Sequence, residues 1–267
     1  MRDILERLVK GEIKVDEAER LLRLNAIVEV EALAKLDVNR EVRKGIPEVV
    51  LADGKAAEDV VRVVEETLRG KGASRVILSR VDNVHIDALK KHFKSRNVVE
   101  VDERARVVVV REKSFKVCKT GGKVGVLTAG TSDIPVAEEA RVIAEAMGCE
   151  VTVTYDVGIA GIHRLFPPLR KMLEDGVDII VAVAGREGAM PSVVAGLVDV
   201  PVVGVPTSVG YGFGEKGTSA LMAMLQACSL GIAVVNIDGG VAAGALAALI
   251  ANRVAKARGK ELRSNCF

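Results

Sequence analysis

The feature that most constrains the fold is a series of five apolar, β-branched segments that alternate with helical segments from residue 121 onwards. Strands of this kind, separated by helices, form a parallel sheet covered by helices on both faces. The sequence therefore predicts a doubly wound, five-stranded parallel sheet. Its strands are expected within 123–130, 149–156, 177–185, 200–207 and 232–238, and its helices at 135–147, 161–174, 190–198, 216–229 and 241–256.

The first 115 residues differ in composition and are expected to form a separate, smaller α/β domain. Charged residues are frequent there, whereas Gly, Ala and Val dominate the rest of the chain. The predicted domains are therefore 1–115 and 121–258. Apolar spacing predicts N-terminal helices at 3–10, 15–34, 56–69 and 86–95, and strands within 45–55, 75–79, 97–101 and 106–111.

Composition excludes several classes of protein. The 38 basic and 36 acidic side chains nearly balance, so neither nucleic acid nor a membrane surface is expected as a partner. The N-terminus is charged, unlike a signal peptide, and no apolar run reaches the about 18 residues of a membrane-spanning helix. The apolar segment 241–251 is expected to be a buried helix.

Cysteines occur at positions 118, 149, 228 and 266, with no Cys-x-x-Cys pair and no metal-ligand spacing. A disulfide framework is not expected in a chain of this length, and no protein-bound metal is expected. We therefore expect a cytoplasmic protein.

In a doubly wound sheet, ligands bind at the carboxyl ends of the strands, which here means the loops 129–135, 155–164, 184–191, 206–216 and 236–241. In the first loop, Gly130 permits close backbone approach, Thr131 and Ser132 offer hydroxyl donors, and Asp133 can accept from a sugar hydroxyl. The same residues also fit a helix N-cap, and the two interpretations are compatible because a capped helix N-terminus can bind an anion.

The second and third loops carry ionisable side chains. His163 and Arg164 follow the second strand, and an arginine can bind phosphate through two parallel hydrogen bonds. In the third loop Arg186 and Glu187, which precede Gly188, are the only ionisable groups, and a glutamate there could simply stabilise the helix dipole.

The fourth and fifth loops offer fewer chemical groups. The fourth, 206–220, is long and Gly-rich and contains a tyrosine and a phenylalanine, which is typical of a ligand-covering loop or an oligomer contact. Its glycines do not follow the G-x-G-x-x-G spacing of a dinucleotide fingerprint. The fifth supplies Asn236 and Asp238 before a helix of small residues, which suits tight packing, including packing against another subunit.

Together these loops resemble the aminoimidazole ribonucleotide carboxylase family over residues 121–256. "GTSDIP" is similar to its Gly-Ser-x-Ser-Asp loop, "AGIHRL" to its Ser-Ala-His-Arg segment, and "AGREGAMPSVVAGL" to its Ala-His-Leu-Pro-Gly loop. The resemblance implies a flavodoxin-like fold, usually assembled as an octamer. In the purine enzymes the third loop carries a histidine that handles the proton of the carboxylation. Ala189 occupies that position here, followed by Met190, which argues against a purine carboxylase.

The segments "DVGIAGIHRL", "GREGAMPSVVAGL" and "GEKGTSALMAMLQACSLGIAVVNIDGG", with the N-terminal "LDVNREVRKGIPEVVLADGK", resemble the LarB family over nearly the whole chain. That family makes an early precursor of the nickel-pincer nucleotide cofactor of lactate racemase. The resemblance implies that nicotinic acid adenine dinucleotide and carbon dioxide are the substrates. The pyridinium ring is carboxylated at carbon 5 and the phosphoanhydride is hydrolysed, giving pyridinium-3,5-biscarboxylic acid mononucleotide and AMP. No tightly bound cofactor is implied, and a Mg²⁺ ion on the pyrophosphate is compatible with this reaction.

The resemblance assigns the nucleophile to Cys228, because a thiolate both adds to and leaves a pyridinium ring well. Without the resemblance, a cysteine in such a segment is interpreted as a small buried hydrophobic residue. Cys228 is predicted at the carboxyl end of a helix that enters a strand, and therefore at the sheet edge opposite the ligand loops. Crossing the sheet takes roughly 15–20 Å. The active sites are therefore expected to be shared between subunits of the homo-octamer that the resemblance implies.

The remaining roles are assigned from the side chains of the loops, and Arg164 is expected to face a phosphate. Glu187 would activate the hydrolytic water or take the ring proton, with Asp238 as a weaker candidate. The expected substrate-binding residues are Gly130, Thr131, Ser132, Asp133, His163, Arg164, Gly188 and Asp238. Two alternatives stay open: an aminoimidazole ribonucleotide carboxylase or mutase of purine biosynthesis, and a non-catalytic nucleotide-binding module.

Overall fold

The structure, a computed structural model, describes residues 2–23, 28–30, 34–36, 40–69 and 74–259. The chain forms two compact units, one from residues 1–101 with 108–115 and the other from 102–107 with 116–267.

The N-terminal unit places helices against a four-stranded sheet in the order β3-β4-β6-β5. Strands β3 and β4 are parallel, and valines and leucines of the sheet pack with buried residues of helices α4 and α5. The elements are α1 (Arg2–Val9), α2 (Val15–Arg23), β1 (Val28–Val30), β2 (Ala34–Leu36), α3 (Arg40–Lys44), β3 (Glu48–Leu51), α4 (Ala57–Arg69), β4 (Arg75–Ser79), α5 (Asn83–Phe93), β5 (Asn97–Asp102) and β6 (Val107–Glu112).

Two predicted boundaries in this unit are wrong. The helix predicted over 15–34 ends at Arg23, and β1 and β2 form an antiparallel pair instead. The segment "VEV" is too short for the spacing of its apolar residues to distinguish a strand from a helix. Helix α5 begins at Asn83 rather than residue 86, because the Asp82 carboxylate accepts the His85 amide at 2.9 Å and caps the helix. The remaining residues of the predicted helix, 24–27 and 31–33, lie outside the described residues.

The second unit contains the predicted alternation of strands and helices. Its elements are β7 (Lys123–Thr128), a 3-10 helix (Thr131–Asp133), α6 (Ile134–Ala146), β8 (Glu150–Thr154), a 3-10 helix (Ile159–Arg164), α7 (Phe166–Glu174), β9 (Ile179–Ala184), α8 (Met190–Ala195), β10 (Val202–Pro206), a 3-10 helix (Gly212–Gly217), α9 (Thr218–Leu225), β11 (Ile232–Val234) and α10 (Gly240–Ala257).

The five strands form one all-parallel sheet in the order β11-β10-β9-β7-β8. Counted along this unit alone, that is the 2-1-3-4-5 order of a flavodoxin-like fold, so the predicted fold class is confirmed. The central strand β9 is buried along its whole length, as an apolar strand covered on both faces must be. The chain order reverses between β7 and β9, and the loops after these two strands therefore diverge and leave a crevice.

Helices cover both faces of this sheet. Buried residues of α7, α8 and α9 pack with one another and the sheet in one cluster, while α6 and α10 pack together. At Gly244 a Cβ atom would collide with the Ala140 carbonyl of α6, and at Gly240 with the Val136 carbonyl. The small residues of α10 therefore serve close helix packing within this chain. Among the described residues α10 is the one helix long and apolar enough to span a membrane, and core helices of non-membrane proteins pass the same test.

The expectation for the cysteines needs one correction. Cys118 is disulfide-bonded, while Cys149 and Cys228 are free. Sequence spacing did not indicate this bond, because a disulfide requires only that two Cα atoms lie about 4.4–6.8 Å apart in the fold.

Candidate active site

A cavity of about 180 Å³ opens where the loops after β7, β8 and β9 meet, at the point where the strand order reverses. Small and apolar residues form much of its wall, and the polar groups are few. The described lining residues are Ala129, Gly130, Ser132, Asp133, Gly158, Ile159, Ala160, Ala184, Gly185, Arg186, Glu187, Ala189, Met190 and Val209. The cavity therefore lies at the position where ligands of this fold class bind.

The Asp133 carboxylate is the buried polar group of this cavity. It accepts a hydrogen bond from the Thr207 hydroxyl at 2.7 Å and another from the Gly130 amide at 2.9 Å. Burial raises the pKa of Asp133 above its ordinary value, while hydrogen bonds from Thr207 and the backbone of Gly130 and Gly185 act in the opposite direction. Asp133 makes no side-chain cap to α6, so its acceptor oxygens are held towards the loops rather than the helix.

Close backbone approach at two glycines brings the loops together. A Cβ atom on Gly185 would collide with the Val209 carbonyl and the Thr207 hydroxyl, and one on Gly158 would lie 2.5 Å from the Ala129 carbonyl oxygen. These contacts join the loops after β7, β8, β9 and β10 into one wall. Glycine is required there because no side chain fits.

Arg186 and Glu187 are exposed and lie at the mouth of the cavity. Both also line a shallower cavity of about 380 Å³ together with Tyr211 and Ser219. The Arg186 guanidinium stacks over the Tyr211 ring, 4.6 Å from its centroid. The Gly-rich loop after β10 therefore places an aromatic ring against the loop after β9.

His163 and Arg164 are exposed and belong to a 3-10 turn rather than to the start of an α-helix. Gly161 interrupts that turn with non-helical dihedrals, and α7 begins only at Phe166. Arg164 forms an ion pair with Asp156 at 2.7 Å. Neither predicted residue is among the described residues that line the cavity.

The other predicted binding residues divide into two groups. Thr131 and Ser132 are exposed beside the N-terminus of α6, and Ser132 lines the cavity. Asp238 has left-handed backbone, with φ 54°, and accepts the Ser208 amide at 2.8 Å. Its carboxylate also contributes to the raised pKa of Asp133, so two acidic groups face the same region.

The free cysteines differ in accessibility. Cys149 is buried, and burial raises the pKa of its thiol to about 12. Cys228 is exposed. Helix α9 ends at Leu225, not at residue 229 as predicted, so Cys228 lies in the connection that leads into β11. Ile232 of β11 pairs with Val202 at the start of β10, whereas the cavity lies beyond the other end of that strand. Cys228 and the cavity are therefore at opposite edges of the sheet.

Comparison with known families assigns both parts of the chain. Residues 28–113 match the LarB/PurE-like N-terminal domain, and residues 123–265 match the AIR carboxylase domain. The chain belongs to the LarB family.

Relatives of this LarB-family chain fall into two groups. An uncharacterized protein of Methanocaldococcus jannaschii is 45% identical over 253 residues, which is 94% of this chain and 96% of that protein. The N5-carboxyaminoimidazole ribonucleotide mutases of Thermotoga maritima and Pyrococcus abyssi are 31% and 32% identical, and they align with 48% and 47% of this chain and with 74% and 71% of their own lengths. The family supports a carboxylase or mutase type of enzyme acting on a nucleotide.

Two residues that shape the candidate site were missed in the sequence. Thr207 donates a hydrogen bond to Asp133 from a different loop. Its position directly after an apolar strand was the only feature of the sequence that indicated a place at the site. Tyr211 was visible only as an aromatic residue in a Gly-rich loop, and its stacking on Arg186 depends on a tertiary contact.

Proposed function

We propose that this chain carboxylates the pyridinium ring of nicotinic acid adenine dinucleotide at carbon 5 and hydrolyses its phosphoanhydride. The products would be pyridinium-3,5-biscarboxylic acid mononucleotide and AMP. This is an early step in making a nickel-pincer nucleotide cofactor.

One observation carries the proposal. Among the described residues that line the cavity there is no histidine, cysteine or lysine, and Ala189 occupies the loop position where the purine enzymes resembled here have their histidine. A proton transfer through a histidine, as in the purine enzymes, therefore has no candidate residue among these lining residues. The free, exposed thiol of Cys228 is a nucleophile of the kind that a pyridinium carboxylation requires.

The chemistry needs a nucleophile because a pyridinium ring is too electron-poor to attack carbon dioxide. The Cys228 thiolate adds to carbon 4, which converts the ring into a dihydropyridine whose carbon 5 is nucleophilic. Carbon 5 then forms a bond to carbon dioxide and loses its proton, and the carbon–sulfur bond breaks to restore the aromatic ring and the thiolate. Water cleaves the phosphoanhydride in a separate step. Glu187, exposed at the cavity mouth, would take the ring proton or orient that water.

Binding groups for the nucleotide surround the cavity. Asp133 would accept hydrogen bonds from ribose hydroxyls, with Asp238 nearby, while Gly130, Thr131 and Ser132 lie at the N-terminus of α6, where a phosphate is favoured. Gly188 would let the third loop approach the ring. Arg164 and His163 would reach a phosphate only after Arg164 leaves Asp156. No group of three His, Cys, Asp or Glu residues in the described ranges could hold a metal, so a Mg²⁺ ion would be carried on the pyrophosphate.

The separation of Cys228 from the cavity supports a shared site. Strand β10 has five residues, so its two ends are roughly 15 Å apart, too far for one chain to join the two groups. A homo-oligomer, which we propose to be an octamer, would bring Cys228 of one subunit to the cavity of another. We also propose that the reaction takes place in the cytoplasm.

The test compares two substrates. The protein is incubated with labelled bicarbonate and either nicotinic acid adenine dinucleotide or an aminoimidazole ribonucleotide, and products are identified by mass. The proposal predicts AMP and a labelled dicarboxylated mononucleotide from the dinucleotide alone, with the labelled mononucleotide lost in Cys228→Ala and both products retained in Cys149→Ala. Carboxylation of the aminoimidazole alone, or full activity in Cys228→Ala, would contradict it.

A further inference from the structure

Arg186 is the one cation among the described residues that line the cavity. Its guanidinium lies against the Tyr211 ring, and no carboxylate of the described residues is within ion-pair distance of it. Arg164, by contrast, is already paired with Asp156. Arg186 therefore presents hydrogen-bond donors and a full positive charge at the cavity mouth.

The loop holds Arg186 in a fixed and unfavourable backbone conformation. Its φ is 53°, in the left-handed region that a non-glycine residue rarely adopts. The Arg186 amide donates to the Val209 carbonyl at 3.2 Å, and its carbonyl accepts the Ser219 hydroxyl at 2.8 Å. Contacts from the two neighbouring elements thus maintain the conformation, and stacking on Tyr211 restricts the guanidinium as well.

We propose that Arg186 binds the carboxylate on the pyridinium ring and so selects nicotinic acid dinucleotides over their nicotinamide counterparts. This inference rests on the proposed function, which places the ring in this cavity. A guanidinium forms two parallel, charge-assisted hydrogen bonds with a carboxylate. A carboxamide carries no charge and offers only one acceptor oxygen, so the same site binds it less tightly.

The position of Arg186 favours the ring carboxylate over a phosphate of the same ligand. Ser132 lines the cavity from the loop after β7, and with Thr131 it lies next to the N-terminus of the 13-residue helix α6, which favours phosphate. Arg186 instead follows β9, in the segment that also supplies the apolar lining residues Ala184, Ala189 and Met190. A ring in contact with this wall would direct its carboxylate towards the mouth.

The experiment measures binding rather than turnover, by calorimetry on the full-length protein. The probes are nicotinic acid adenine dinucleotide, NAD⁺ and AMP, each with wild type and with Arg186→Met. We expect wild type to prefer the acid dinucleotide, and Arg186→Met to lose about tenfold to hundredfold in affinity for it. Affinity for NAD⁺ and AMP should change little, so the preference between the dinucleotides should disappear.

Three further variants control for other effects. Arg170→Met removes an exposed arginine of α7 that lines neither cavity and should leave all affinities unchanged. Tyr211→Phe keeps the stacked ring and should keep the preference, whereas Tyr211→Ala should reduce it. Equal losses for all three probes in Arg186→Met would mean that Arg186 binds phosphate and would overturn the inference, as would an unchanged preference. If wild type binds an aminoimidazole ribonucleotide but not the acid dinucleotide, the proposed function itself fails.

Discussion

At the scale of single residues, the candidate site contains one buried carboxylate. Asp133 is buried, with 4% of its surface exposed, and hydrogen-bond donors from the loops after β7, β9 and β10 converge on it. Burial makes the charged form costly, so each donor matters more than it would at the surface. Thr207 is the side-chain donor, and it is fully buried as well.

We predict that Thr207→Val lowers the free energy of unfolding by about 1–3 kcal/mol at neutral pH, because it leaves a buried carboxylate with one donor fewer. Burial raises the pKa of Asp133 in the folded state above its ordinary value, so the folded protein loses stability when this carboxyl group ionises. That loss develops as the pH rises from the ordinary pKa through the raised pKa. Removing a donor raises that pKa further. The cost of Thr207→Val should therefore be larger at neutral pH than at acid pH, where Asp133 is protonated.

Urea unfolding at the two pH values measures this cost. Thr207→Ser keeps the hydroxyl and serves as the matched control, with a smaller and pH-independent loss. An equal cost at both pH values would show that the hydroxyl does not interact with a charged Asp133.

At the scale of elements, the loops after the strands form a site because glycines and left-handed residues let them approach. Asp156, Arg186 and Asp238 follow three different strands and all have positive φ, between 53° and 58°. Gly188 also has positive φ, 63°, and its Cα faces the backbone of Ala220 in α9. The third loop is therefore shaped by the helix that follows β10.

Gly188→Ala should be more destabilising than Gly176→Ala, although both glycines have positive φ. At Gly176 nothing lies within 4 Å of the added Cβ atom, so only the backbone conformation costs energy, about 1–2 kcal/mol. At Gly188 the Cβ atom would lie 2.6 Å from the Ala220 carbonyl oxygen, which adds about 1–3 kcal/mol of overpacking.

Thermal unfolding of the two variants, together with binding of the acid dinucleotide, measures the difference. Binding should be weakened in Gly188→Ala and kept in Gly176→Ala. Equal melting temperatures for the two variants would show that α9 does not constrain the third loop.

The sequence was sufficient to predict some elements of the structure but not others. Five apolar strands separated by helices leave few arrangements, and the parallel sheet followed from them. The site loops could be identified for the same reason, because the carboxyl ends of all five parallel strands lie at the same edge of the sheet. The 3-10 turn at 159–164, the end of α9 at Leu225 and the hydrogen bond from Thr207 to Asp133 depend on tertiary contacts, which local spacing does not encode. The disulfide at Cys118 is another such contact.

At the scale of the whole molecule, the two halves of the proposed chemistry are separated within one chain. The cavity lies beyond the carboxyl ends of the strands, and Cys228 precedes β11 at the opposite edge. Three apolar side chains close to Cys228 in the sequence are exposed, namely Met222, Leu225 and Leu230. An apolar surface beside an exposed thiol is what a subunit contact would use, and it would bring that thiol to a neighbouring cavity.

Mixing two inactive variants tests this account most directly. Asp133→Ala and Cys228→Ser chains are each assayed for the dicarboxylated mononucleotide, then unfolded together, refolded as mixed assemblies and assayed again. A site shared between two chains combines two unmutated residues in about one case in four, so about a quarter of wild-type activity should return. If mixed assemblies form and stay as inactive as the separate variants, Cys228 and Asp133 act within one chain or not together, and the account is contradicted.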